Sequence, residues 1–531
     1  MNIRRLKRCM PLVMLAVLTL SVLLPAVSTG AVSSTSSPPD PGLSRDEGFA
    51  AIDRYVAAEM HAQHIPGLAL GIVQGDQIVH LKGFGVADTS GGVVTPQTPF
   101  PIGKVSKAFT ALAVMQLVEA GKLELDTPVQ HYLPWFRVAD ADASAQITVR
   151  HLLTQTSGLS HAAGLEQYAE ADLRDSALEQ HVRGLSTVQL AHPIGSAYED
   201  TSANAWVLGL LVQTVAAQPY AAYVQQQVFA PLDMRQSFTA PADAQPHGLV
   251  RGYHYWFGQP AAEQPFNRGY LPGSGLIASA EDMTHFLVAQ LNAGRYANVP
   301  VLSAAGIAEL HQPAVTAPGP HAECLTQAPD CAYAMGWGVR QIDGVPAVIK
   351  SSDLPLFAAD VVLLPTTRFG LVLLMNADTL LDPGRNHAIA DGVTRLVLGG
   401  QPPAPSGSRA WIVYLVLLGV VVIQVAGMLR SLVTLRRWWA QPEHRPQGHW
   451  RLGWHAIRPL IVNLAWALVV LAGIAKLSLP DLLLGAPDLA IVLLASGVVA
   501  LVWAVVRTVL AYGTLRTPVA PRAAIVVAKT S

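Results

Sequence analysis

The uncharged apolar run from Ala410 to Leu429 constrains this chain more than any other feature. It is long enough to cross the ~30 Å hydrocarbon core of a bilayer. Two further apolar runs follow, Pro459 to Ala475 (continuing past Lys476 to Leu479) and Leu489 to Val506. Core helices of a soluble domain are shorter and lack such dense flanking arginines. The chain is therefore expected to end in an all-α region of three transmembrane helices, over about 409–430, 458–479 and 484–507. A Pro- and Ser-containing linker, 401–408 (QPPAPSGS), precedes them.

Charge gives the expected orientation. Arg430, Arg436, Arg437, Arg445, Arg451 and Arg458 lie between the first two runs, and Arg507, Arg516, Arg522 and Lys529 follow the third. Asp481 and Asp488 lie between the second and third. The positive-inside rule places the arginine-rich loop and the C-terminus in the cytoplasm. The N-terminus agrees. Arg4, Arg5, Lys7 and Arg8 precede an apolar stretch from Pro11 to Ala26, and small residues follow at Ala26-Val27-Ser28 and Thr29-Gly30-Ala31. This is the pattern of a signal peptide over 1–31, or of an uncleaved anchor helix. Either one exports the segment that follows, which gives a multi-pass cell-membrane protein with a large periplasmic or otherwise extracytoplasmic N-terminal domain. Trp438 and Trp439, beside Arg436 and Arg437, suit a membrane interface. No intramembrane acid–base pair suggests transport.

Lys and Arg total 35 against 36 Asp and Glu, a balance that points away from nucleic acid. Of the three cysteines, Cys9 precedes the apolar stretch, the wrong place for lipid attachment. Cys324 and Cys331 bracket a short loop, either as a local disulfide staple or as two free thiols.

The exported segment, 45–400, mixes helices and strands. Ser44-Arg45-Asp46-Glu47 has the form of a capping box, and Phe49, Ile52, Tyr55, Val56 and Met60 recur at helical spacing. Leu68–Val73 and Gln77–Gly85 are expected strands around a Gly75-Asp76 turn. A helix is expected from about Val105 to Ala120, stopped by Gly121. A second hairpin (Ala359–Leu364 and Phe369–Asn376) and a helix from about His387 to Leu398 close the segment. This order implies one sheet assembled from both ends of the segment, with a helical region inserted between.

Six stretches, in order, carry a family resemblance: PFPIGKVSKAFTALAVMQLVEAGKLELDTPV (Pro99–Val129), HLLTQTSGLSH (His151–His161), GSAYEDTSANAWVLGLL (Gly195–Leu211), GSGLIASAEDMTHFLVAQLNAGRY (Gly273–Tyr296), MGWGV (Met335–Val339) and IKSSDLPLFAADVVLLPTTRFGLVLLMNAD (Ile349–Asp378). Together they resemble the serine β-lactamase and penicillin-binding protein family, which includes class C β-lactamases, D-amino-acid peptidases and related esterases. The resemblance covers roughly 45–400. It implies an α/β (α+β) serine β-lactamase-like fold, with an antiparallel sheet flanked by helices and a helical subdomain.

The chemistry of that family needs a serine at the start of a helix and a lysine one turn later on the same face. The Ser-x-x-Lys pattern falls on Lys104-Val105-Ser106-Lys107, so Lys107 is retained and the nucleophile position holds Lys104. A lysine there forms no acyl ester. Ser106 directly precedes Lys107, so their helical directions diverge by about 100°, and Phe109 stands where Ser106 would need its base. No lysine in the chain has a serine three residues before it. The second motif, usually Tyr-x-Asn, falls on Asp200-Thr201-Ser202; Tyr198 is a near neighbour, but the spacing to Trp206 and Gly209 favours Asp200. The third, a His- or Lys-x-Gly strand that binds the substrate carboxylate and lines the oxyanion site, falls on Lys350-Ser351-Ser352, with Leu356 where a glycine is common.

Losing the nucleophile alone costs on the order of a millionfold in such a catalytic unit. Changes in all three motifs imply a pseudoenzyme, a binding or regulatory homologue at the cell envelope that needs no cofactor. An active β-lactamase, D-Ala-D-Ala peptidase or esterase using another nucleophile is the alternative, and a structural partner of another membrane protein is a third. Convergence of Lys104, Lys107 and Lys350 on Asp200 would leave net positive charge, suited to a peptidoglycan-like or other anionic small molecule; charges that merely neutralise one another are the plainer outcome. His151 and His161 lack metal-ligand spacing. Gly273-Ser274-Gly275 lacks the full nucleophile elbow and reads as a turn.

Overall fold

The computed structural model describes residues 45–166, 171–255, 266–317, 331–378, 385–403, 410–441, 454, 461, 463–472 and 479–516. The expected signal segment 1–31, Ser44 of the expected capping box, Cys324 and most of the expected 401–408 linker lie outside the described residues. Cys331 is disulfide-bonded.

The chain opens with α1 (Arg45–Gln63) and the hairpin β1 (Gly67–Gln74) and β2 (Gln77–Gly85). The tight turn needs Gly75, which takes φ of 65° while its amide donates to the Arg368 carbonyl. Two short strands, β3 (Val315–Thr316) and β4 (Ala332–Tyr333), precede β5 (Gly338–Ile342), β6 (Val345–Leu354), β7 (Phe357–Leu364) and β8 (Phe369–Met375). They form one eight-stranded antiparallel sheet in the order β2-β1-β8-β7-β6-β5-β4-β3. The two ends of the segment meet where β1 pairs β8, Leu68 opposite Met375 and Val73 opposite Gly370.

Both faces of the sheet are covered, and the period-two alternation of a strand sorts the side chains between them. Leu68, Leu70, Ile72, Leu371, Leu373 and Met375 pack with Ile52, Val56 and Met60 of α1 and with Ile389 and Val393 of α5 (His387–Val397). Ala69, Val73, Val372 and Leu374 face the larger core on the other side. There α2 (Ser106–Glu119), α3 (Ser202–Ala216) and α4 (Ala280–Leu291) bury Phe109 against Phe286, ring centroids 4.2 Å apart. The helix expected from Val105 begins one residue later, after a 3₁₀ turn over Gly103–Val105. Its apolar residues lie all round it, as befits a helix buried on every side.

Beyond the domain, α6 (Ala410–Ala440), α7 (Leu479–Gly485) and α8 (Pro487–Arg516) differ from the expected boundaries. Two helical stretches, Ile412–Ala440 and Pro487–Gly513, are long and apolar enough to cross a membrane. The expected second span at 458–479 falls largely outside the described residues; within it Asn463–Ala472 is a short apolar helix. Arg430, Arg436 and Arg437 lie on α6 itself and not in a loop, because the helix continues to Ala440. In the region of the expected third span the long apolar helix begins at Pro487, after a separate short helix, α7, that ends at Gly485. Trp438 packs with Leu435 and Ala511, joining α6 to α8.

One buried ionic group braces the sheet. His387, at the start of α5, has Nδ1 2.6 Å from Asp360 on β7 and Nε2 3.0 Å from Asp353 on β6. Burial opposes the imidazolium, but Asp353 and Asp360 outweigh it and hold His387 well above its usual range. Asp353 is held below the usual carboxylate range: burial works against its charge and His387 more than offsets it. A raised histidine stabilises the fold fully below its unfolded value near 6.5, and the effect is lost as pH rises through the folded value. Replacing His387 by Gln leaves two carboxylates facing each other and should cost ~3–5 kcal/mol. Denaturant unfolding of the purified chain at neutral pH, followed by tryptophan fluorescence, measures this, and the deficit should narrow as pH is raised through the folded value of His387.

Candidate active site

The cleft forms where the 3₁₀ turn before α2, the start of α3 and strand β6 meet. Gly103 takes φ of 51°, and a Cβ there would stand 2.0 Å from Ser352 Oγ, so this close approach needs glycine. The next residue is Lys104. Its amide donates to Ser352 Oγ at 2.8 Å. A backbone N–H at such a helix start is the kind of donor an acyl-transfer site aims at a developing oxyanion; here the serine hydroxyl occupies it.

Asp200 lies at the centre. It immediately precedes Thr201, the N-cap of α3, whose hydroxyl accepts from the Ala203 amide. Its carboxylate receives Lys107 Nζ at 2.5 Å on one oxygen and Lys104 Nζ at 3.0 Å on the other. Lys107 and Asp200 are buried, whereas a quarter of the Lys104 side chain is exposed. Lys104 lies in the 3₁₀ turn just before the helix, and the three-residue spacing to Lys107 brings both ammonium groups to one carboxylate.

The charges respond to one another. Burial disfavours the Asp200 carboxylate, but Lys104, then Lys107 and Lys350, hold it well below the usual range. Burial also works against the Lys104 ammonium, and Asp200 more than compensates, so Lys104 is raised. Lys107 is lowered, chiefly by burial and further by repulsion from Lys104, although Asp200 pulls the other way. The two lysines thus move in opposite directions on one carboxylate. The more exposed Lys104 is the one whose charge the pair secures, since water can still reach it.

Lys350, on β6, is fully buried. Its ammonium donates to the Tyr333 hydroxyl at 3.4 Å and lies 5.4 Å from the centre of that ring. Burial, with repulsion from Lys107, holds it well below its usual range. Ser202 is buried at the first position of α3, and Ser351 is buried with no hydrogen-bond partner for its hydroxyl among the described residues. The Tyr198 ring packs at a tilt on Tyr333, centroids 4.9 Å apart, and its hydroxyl makes no hydrogen bond to Asp200, although burial and the Asp200 charge together raise its phenol well above the usual range.

Two residues of the cleft escape sequence reasoning. Ser274 lies in a π-helical turn, Leu271–Gly275, where a plain turn was expected, and its hydroxyl donates to the buried Glu166 carboxylate. Glu166 also acts electrostatically on both Lys104 and Lys107, and Asp353 acts on Lys104. Glu166 and Asp353 thus add acidic charge beside the Lys104–Asp200–Lys107 group, while Asp353 is itself paired with His387. A Glu three residues after Ala163, with no partner pattern nearby, carries no local signal; only the fold brings it to Ser274, 108 positions away.

The histidines have structural partners. His151 closes a capping box with Thr148, and His161 Nδ1 donates to the Asp200 carbonyl at 2.8 Å. Among the described residues there is no cluster of three or more His, Cys, Asp or Glu placed to hold a metal ion.

Comparison with known proteins gives a consistent picture. The chain is 28% identical to Protein flp of Staphylococcus aureus strain N315 over 333 residues, 62% of this chain and 63% of that protein. It thus spans less than two thirds of those relatives. Penicillin-binding protein 4 of Amycolatopsis lactamdurans is 31% identical over 292 residues, 53% of this chain and 73% of that protein. Among solved structures, the octameric penicillin-binding protein homologue from Pyrococcus abyssi superposes with a TM-score of 0.58 at 23% identity, covering 67% of this chain and 79% of that one. EstCE1, a hydrolase with promiscuous acyltransferase activity, gives 0.55 at 23% identity, covering 66% and 98%; both show a shared fold. The sequence profile of the family described as Beta-lactamase matches residues 52–394, the whole of the two-faced sheet and its helical insertion, and the chain therefore belongs to the β-lactamase family.

Proposed function

We propose that this protein is a membrane-tethered β-lactamase-family member that does not hydrolyse substrate and acts by binding or regulation at the cell envelope, with its large domain outside the cytoplasmic membrane. The observation that carries this reading is the clamp on Asp200. Acyl transfer in this fold needs a hydroxyl nucleophile, a lysine free to take its proton, and an open oxyanion donor. Here the nucleophile position is an ammonium, the retained Lys107 is engaged by Asp200, and the Lys104 amide is engaged by Ser352.

The clamp also bears on the ligand. A carboxylate-bearing molecule, such as a peptidoglycan stem peptide, would compete with Asp200, Glu166 and Asp353 for the same ammonium groups. Binding in the cleft then requires the ligand to displace Asp200, which makes the cleft a low-affinity or conditional site. The two helices long and apolar enough to cross a membrane supply the tether.

The clamp should be structural as well as inhibitory. Asp200→Asn leaves the buried Lys107 without its carboxylate and should destabilise the domain by about 3 kcal/mol in denaturant unfolding at pH 7. Because the folded Asp200 value is depressed, its contribution is present above about pH 3.8 and lost as pH falls through the folded value. The difference between the two proteins should therefore vanish in acid and persist at neutral pH.

Intact-mass spectrometry after incubation with a penicillin and with a fluorophosphonate tests the silent cleft. The natural chain should gain no adduct, and Lys104→Ser alone should gain little, because Asp200 and Ser352 still engage the neighbouring groups. The triple change Lys104→Ser, Asp200→Tyr, Ser352→Gly should restore labelling at position 104. An adduct on the natural chain would overturn the reading in favour of an active hydrolase, and Ser274, on Glu166, is the first hydroxyl to examine in mapping it.

A further inference from the structure

Among the described residues, the C-terminal helices meet the exported domain around Leu484 and Asp488. Leu484 of α7 packs against the domain's larger hydrophobic core. The His254 imidazole lies against the Leu484 backbone and is drawn by the Asp488 carboxylate at the start of α8. The same carboxylate receives the Tyr414 hydroxyl from the first turns of α6. Asp488 thus joins the ends of α6 and α8, and its field reaches His254 in the Tyr253–Tyr255 segment. That segment is tied to the sheet, because the Tyr253 amide donates to the Asn376 carbonyl at 2.9 Å and Tyr253 bridges Ala377, just past β8.

Beside this junction lies a cavity of about 220 Å³, lined by His64, Pro66, Tyr253, His254, Tyr255 and Ala377. His64 takes a left-handed backbone (φ 55°) directly after α1, which turns the chain along the cavity wall. The lining is aromatic and apolar. Burial holds the His254 imidazole below its usual range despite Asp488, so the walls carry little charge at neutral pH. The Arg385 guanidinium stacks on the Tyr255 ring at 4.5 Å. A space of this kind offers water few partners and favours an apolar occupant. Its lining residue His254 lies beside Leu484 of α7, next to the ends of two helices fit to cross a membrane, and tyrosine is the residue type that settles at membrane interfaces.

We propose that this cavity takes an acyl chain of a membrane lipid, seated where the exported domain meets the ends of α6 and α8. The site is separate from the Lys104–Asp200 cleft and holds whether or not that cleft is catalytically silent. It would fix the height and tilt of the domain over the bilayer.

The test uses the full chain in lipid nanodiscs containing a phospholipid with a photoreactive diazirine near the end of one acyl chain. After irradiation, peptide mapping should find label on His64–Pro66 and Tyr253–Tyr255 as well as on the apolar helices. Ala377→Phe, which fills the cavity, should cut the cavity label about tenfold and leave helix labelling unchanged. Label confined to the helices, or cavity label undiminished in Ala377→Phe, would overturn the proposal. Should that variant fail to fold, competition on the natural chain decides: a free fatty acid should displace the cavity label and glycerol phosphate should not. Displacement by glycerol phosphate alone would mark a headgroup site and overturn the acyl-chain assignment.

Discussion

The cleft depends on one carboxylate receiving two ammonium groups. Asp200 lies before the N-terminus of α3, where the helix dipole already favours negative charge, and the three-residue offset of Lys104 and Lys107 delivers both lysines to it. A second ammonium at position 104 without that carboxylate would place two like charges side by side in a buried site, at a cost of several kcal/mol. The changes at Lys104 and Asp200 are therefore physically coupled: each is tolerable because of the other. Ser352 completes the closure, since its hydroxyl takes the Lys104 amide where a glycine would leave that donor open.

The strand that carries Lys350, Ser351 and Ser352 is held from behind. His387 ties Asp353 on β6 to Asp360 on β7, and Ser351 lies opposite Asp360 in the sheet register. Arg340 and Arg395 both bind Asp391 on α5, so that helix is anchored by a second ionic group on the same side. Strand position in the cleft is therefore set by buried charge pairs on the far face as much as by the apolar packing of α1 and α5. This explains how the site residues can be so altered while the sheet around them keeps its geometry: the supports lie outside the cleft.

Much of this was legible in the sequence, for physical reasons that differ by element. The hairpins β1–β2 and β7–β8 were visible because apolar runs flank tight turns, and the helix at 106–119 because Gly121 stops a largely apolar run. Lys104, Lys107 and Asp200 were readable as a group from the ordered motifs. Their charge balance was not, because Glu166 and Asp353 join through tertiary contacts without a spacing of their own. The true length of α6 was hidden by its arginines: Arg430, Arg436 and Arg437 suggest a loop, yet arginine is a good helix former and a helix can run on past the bilayer. The short helix α7 was missed because Asp481 and Asp488 looked like a plain polar connection.

The junction at Asp488 gives those two acids a different meaning. An acid at the start of α8 is favoured by the helix dipole wherever it lies, so the residue alone says nothing about the domain. Its contacts do, since Tyr414 comes from α6 and His254 from the domain, and Leu484 brings α7 onto the same core that contains α2 and α3. Three parts of the chain that are far apart in sequence thus share one ionic and apolar joint. The turn Leu354–Phe357 lies between that joint and the cleft: Leu354 would meet a Cβ at Gly103, and Leu356 and Phe357 would meet one at Gly252. The same turn that continues the Lys350–Ser352 strand therefore packs against both Gly103 in the cleft and Gly252 beside the Tyr253–Tyr255 segment. Fold membership alone does not decide what use the chain makes of this arrangement.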